Sequence, residues 1–175
     1  MKPIKLLDQV PRCMRHVLDE QVLSQYPSVI PSPDIEREIQ RISVDELFAG
    51  DSNNSALARC ALAGLWLLHG FLDRSHTISQ SISTPEGSFW HAIMHRQEGD
   101  FWNSKYWYRQ VGRHSVFQVV GGHLKVPNGI WEPAEFVDQC EAASVRSGDG
   151  QLSTRLKTIA NAEWQALFQY CISPQ

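Results

Sequence analysis

Apolar side chains recur along this chain at intervals of three and four, the spacing that lines up one face of an α-helix; strand-like alternation is scarce. The first 25 residues offer Val10, Met14, Val17, Val22 and Leu23 on such a face, with Pro11 a point where the helix can break. Tyr26 to Pro33 holds three prolines and reads as an extended connector. A helix then starts at Asp34 with Ile35, Ile39 and Ile42, and Ser43 with Glu46 forms a capping box for a further turn through Phe48, closed by Gly50. Asp51 to Ser55 supplies N-caps for a strongly helical stretch from Ala56 to Ile82, interrupted only by Gly64 and Gly70.

Pro85 and Gly87 break that stretch. Helices are predicted from about Ser88 to Gln97 and from Phe101 to Gly112, joined at Glu98-Gly99-Asp100 into a hairpin. Gly121-Gly122 and Pro127-Asn128-Gly129 bracket His123 to Val126, either a turn or a small strand. Pro133 opens a helix through Ala143, Ser147 to Gly150 is a turn, and Leu152 to Cys171 forms the last helix around Leu156, Ile159, Trp164, Leu167 and Phe168. The fold class is therefore mainly α: a compact single-domain helical bundle over 1–175, with a core at 51–115 and packing helices and connectors at 1–50 and 116–175.

A shift of 29 residues aligns Ala63 with Ala92, Gly70 with Gly99, Ser75 with Ser104 and Ile82 with Val111, so two related hairpins are expected. Their spacing of small residue, Gly, Ser and β-branched residue resembles the tetratricopeptide repeat, in which small residues let two helices approach and Gly turns the chain. The likeness covers about 60 residues and is degenerate, and the period falls short of the usual 34 or so. The runs Trp90-His91-Ala92-Ile93-Met94-His95-Arg96 and Asn103-Ser104-Lys105-Tyr106-Trp107-Tyr108, within Trp90 to Gly112, also resemble a family of uncharacterised bacterial proteins, which implies no activity.

Composition narrows the function classes. A chain of 175 residues with 42% hydrophobic and 20% charged residues can bury a core unaided. A formal charge of −3 and scattered Lys and Arg leave no footprint for nucleic acid. The longest apolar run, Ala61 to Leu68, is less than half of the roughly 20 residues a bilayer needs. Cys13, Cys60, Cys140 and Cys171 form no CxxC pair. Without a signal peptide in view, a cytoplasmic protein that engages neither membrane nor nucleic acid is expected.

Five of the seven histidines and four of the six tryptophans fall between Trp66 and His114, which marks that block as the place for a site. His91 and His95 lie four apart and project from one helix face, near Glu98. Zinc peptidases share this spacing but place a glutamate after the first His, where this chain has Ala92. On the preceding helix Asp73, His76 and Gln80 form a second polar stripe, which His69 joins if the helix is unbroken at Gly70. Were the hairpins packed together, Asp73, His76, His91 and His95 would form a set suited to zinc, iron or another divalent metal, the cofactor otherwise remaining open. Exposed or hydrogen-bonded histidines are the plain alternative. A carboxylate and histidine without metal are also suited to acid and base chemistry near neutral pH.

Arg96 with Arg109 can clamp an anion, against the simpler reading of ion pairs at helix ends. Trp102 and Tyr106, four apart, share a face, whereas Trp90, Ile93 and Met94 read as core. No phosphate loop and no nucleophile elbow appears. The leading expectation is a binding module whose groove, formed by His76, His91, His95, Arg96, Trp102 and Tyr106, takes a peptide, a protein or a small polar ligand. The rival is an enzyme centred on Asp73, His76, His91 and His95.

Overall fold

The computed structural model describes residues 10–44, 55–147 and 152–173, and these are helical with no strand among them. The helices are α1 (Glu20–Gln25), α2 (Pro33–Gln40), α3 (Ser55–Leu68), α4 (Leu72–Ser79), α5 (Pro85–Glu98), α6 (Phe101–Val111), α7 (Ser115–Leu124), α8 (Pro133–Ser147) and α9 (Thr154–Ile172), preceded by a 3-10 turn at Arg12–Met14. No helix among the described residues is long and apolar enough to cross a membrane. The expected turns at 46–50, 51–54 and 148–150 lie outside the described residues.

The N-terminal segment is not one helix. Asp19 sits in extended backbone and accepts a hydrogen bond from the Val22 amide at 2.8 Å, starting α1 afresh, while Val10, Met14, Val17 and Leu23 are buried as their spacing predicts. The long stretch from Ala56 to Ile82 divides at Gly70, whose φ of +78° ends α3. A Cβ there would also meet the Val29 carbonyl oxygen at 2.7 Å, so the connector lies against this turn. His69 thereby leaves the polar stripe of α4 and donates from Nε2 to the Val17 carbonyl at 2.6 Å.

Pro85 starts α5 instead of breaking a helix, because the first helical position needs no amide donor. Thr84 caps it through the Gly87 amide at 3.3 Å. Gly99, at φ +90°, and the Asp100 amide bonded to the His95 carbonyl at 2.9 Å close α5, and Asp100 then caps α6. The sequence reading missed α7, which runs through Gly121-Gly122 to Leu124 and replaces the expected turn or strand. At Gly121 the helix passes so close to the next loop that a Cβ would stand 2.3 Å from the Gly129 carbonyl oxygen. The last helix begins at Ser153, whose side chain accepts from the Leu156 amide.

Two hairpins, α3 with α4 and α5 with α6, pack side by side through α4 and α5, while α9 lies against α3 and α7, and α8 against α6. Ser75 and Ser104, aligned by the 29-residue shift, are both fully buried, and Ser104 Oγ donates to the Ala92 carbonyl at 2.8 Å. Trp164 of α9 anchors the centre: its indole donates to the Gly64 carbonyl at 2.9 Å, and its ring stacks on Phe168 and meets Trp90 edge-on. The absence of a side chain at Gly64 makes room for Trp90, since a Cβ there would meet that ring at 2.7 Å.

Candidate metal centre

The packing of α4 on α5 joins the two polar stripes. His91 and His95, one turn apart on α5, stack with ring centroids 4.7 Å apart. His76 of α4 reaches across to both, at 4.8 Å from His91 and 5.4 Å from His95. One ligand nitrogen from each of the three lies within 4.8 Å of the others. Trp107 of α6 closes the far side by stacking on His91 at 4.1 Å, so that imidazole is held between an indole and a second imidazole.

The polar atoms of this cluster are unevenly satisfied. His95 Nδ1 faces Glu98 Oε2 at 3.2 Å, which leaves Nε2 as the nitrogen open to a further partner. His91 is 3% exposed, and neither of its ring nitrogens has a hydrogen-bond partner. Burial, with His95 and His76 as neighbours, pushes its pKa down to about 4, so it is neutral at physiological pH and offers a lone pair.

Asp73 does not join this group. It lies in the first turn of α4, is exposed, and suits the positive end of that helix. Arg96 is no ligand clamp either: it is buried and paired with Glu163 of α9, and it donates to the Tyr108 hydroxyl at 2.6 Å and covers the Phe136 ring at 4.5 Å. Tyr108 in turn donates to Glu163. Burial lowers the pKa of this guanidinium, but Glu163 and Tyr108 outweigh that effect and raise it above its ordinary value.

Arg109 is exposed and lies over Tyr106 at 5.8 Å, away from that network. Trp102, 70% exposed, and Tyr106, 39% exposed, stack on each other at 6.2 Å on the outer face of α6. A single groove lined by His91, His95, Trp102 and Tyr106 therefore does not form, because the histidines are enclosed while the two rings face outward. Trp107, one of the rings that the sequence offers as groove-lining, instead covers His91, and the part-buried pair of His114 with Glu86 at 3.3 Å gave no signal in the sequence. The hydrogen bond from His114 holds the Glu86 carboxyl down to about 2.

Comparison with protein-family models, with curated proteins and with solved structures yields no match to this chain. The site is therefore read from its own chemistry.

Proposed function

We propose that this chain is a helical metal-binding protein whose centre is His76, His91 and His95, with zinc or another borderline divalent transition ion as its ligand. The supporting observation is His91, a buried imidazole with two unpartnered nitrogens packed against two further imidazoles, with one ligand atom of each of the three within 4.8 Å of the others. Burying a polar group without a partner costs about 1–3 kcal/mol, and a metal ion would supply the missing partner. Tetrahedral ligation at about 2.0–2.1 Å places ligand nitrogens about 3.4 Å apart. The widest pair here must close by little more than an ångström, within reach of ring rotation that takes His91 and His95 out of their stack.

Three imidazoles leave one position of a tetrahedral ion for water or a small exogenous ligand. Ala92 stands where a zinc peptidase would carry its general base, so ion binding is the function the residues support. Glu98 would act through His95 by orienting its ring. The buried thiols Cys60, Cys140 and Cys171 accord with a reducing, cytoplasmic setting.

Metal analysis and zinc titration calorimetry of protein prepared without an affinity tag test the proposal. One equivalent of zinc in the wild type, lost in His91→Ala with the helical content retained, is the expected result. A wild-type chain that takes up no zinc, cobalt or copper at micromolar concentration would overturn it.

A further inference from the structure

The two arginines read from the sequence as an anion clamp part company in the structure. Arg96 is neutralised inside the protein, whereas Arg109 opens onto a cavity of about 670 Å³ together with Arg113. This volume lies in the range of small-molecule pockets, roughly 300–1,000 Å³. Tyr108, Phe117 and Trp131 line its wall, with their rings packed edge-on or tilted against neighbours, and Ile130, 46% exposed, stands at the lip.

Charge on the rim is lopsided. Lys105 also lines the cavity but is held by Asp138 at 2.8 Å and Glu141 at 3.4 Å. Arg109 and Arg113 pair with no carboxylate among the described residues, and Glu132 is the one acid on the rim. His114 is engaged away from the rim, its Nδ1 with the Val116 amide and its Nε2 with Glu86. Gly112, with φ +66°, turns the chain at the end of α6 and brings Arg113 to the rim that Arg109 occupies.

We infer that this cavity binds a small planar aromatic carboxylate, with its ring against Trp131, Phe117 and Ile130 and its carboxylate between Arg109 and Arg113. Two guanidiniums without an internal carboxylate match an incoming one, which can take N–H donors from both. The apolar wall adds ring burial and favours an aryl acid over a free inorganic anion. The site is separate from the histidine centre and does not depend on metal.

Calorimetric titration of the full chain with 1-naphthoate, and with 1-naphthalenemethanol as its uncharged counterpart, tests the inference. The acid should bind at least tenfold more tightly than the alcohol. The Arg109→Gln, Arg113→Gln variant should lose that advantage while alcohol binding is unchanged; both arginines are exposed, so the fold should survive, and its thermal unfolding checks this. Glu132→Gln should tighten naphthoate binding by removing repulsion at the rim. Equal affinities for acid and alcohol, an unaltered naphthoate affinity in the double variant, or no naphthoate binding at millimolar concentration would each overturn the inference.

Discussion

Two buried polar clusters meet on α5 at adjacent residues, and they are built on opposite terms. His95 belongs to the trio with His76 and His91, while Arg96 turns to the other side and enters the network of Glu163 and Tyr108. In the arginine network the guanidinium, the carboxylate and the phenol all find partners, so burial of a charge is compensated inside the molecule. In the histidine trio an imidazole is enclosed with both nitrogens unpartnered. A satisfied cluster holds helices together, whereas the unpartnered imidazole is the feature on which the proposed ion binding rests.

The largest effect is expected at Glu163. Glu163→Gln leaves Arg96 charged and buried without its counter-ion, and a loss of about 3–5 kcal/mol is expected in urea unfolding. Should that variant fail to fold, the combined change Arg96→Met, Tyr108→Phe and Glu163→Leu should restore a cooperative transition, because an apolar set of similar bulk leaves neither an unpaired charge nor an unpaired hydroxyl.

A smaller effect of opposite sign is expected at His91. His91→Phe keeps an aromatic ring beside Trp107 and removes two unpartnered polar atoms, so metal-free protein should gain about 1 kcal/mol in the same assay while zinc uptake disappears. A loss of several kcal/mol would instead show that this imidazole is satisfied in solution.

Acidity acts on His91 and, outside both clusters, on the part-buried Glu86. His91 titrates at about 4 when folded and near 6.5 when unfolded, so in that window the unfolded chain holds more protons. Stability should fall as pH drops from 6.5 towards 4, and His91→Phe should flatten this part of the profile. Glu86 acts lower: its folded value of about 2 against 4.5 means its contribution is complete above 4.5 and is lost as pH falls towards 2. The smallest effect belongs to the outer face of α6, where Trp102→Ala should change stability by no more than about 0.5 kcal/mol.

Local spacing made part of this legible. His91 and His95 follow from a four-residue interval, and the 29-residue shift brought His76 to them by requiring a turn at Gly70. Asp73 was assigned to the same stripe because periodicity records direction and takes no account of depth, and the start of α4 puts this residue in an exposed first turn. The fate of Arg96 was not readable, since its partner Glu163 lies 67 positions away on α9. Gly121-Gly122 was read as a breaker because a helix loses stability at Gly, and only the close approach of Gly129 shows why the helix continues there. Trp107 lay one residue from a recognised pair, but its role depends on α6 crossing α5.

The contact between Trp107 and His91 gives the protein an optical gauge of its own. An indole 4.1 Å from an imidazole shares its immediate surroundings, so any event that rotates or charges that imidazole alters the light the indole emits. A cupric ion at the trio would darken Trp107 by energy and electron transfer over a few ångströms, whereas Trp131 and Trp164, packed in other parts of the core, would stay comparatively bright. Binding of the proposed ion would thus be followed in unlabelled protein by the colour and intensity of its tryptophan emission.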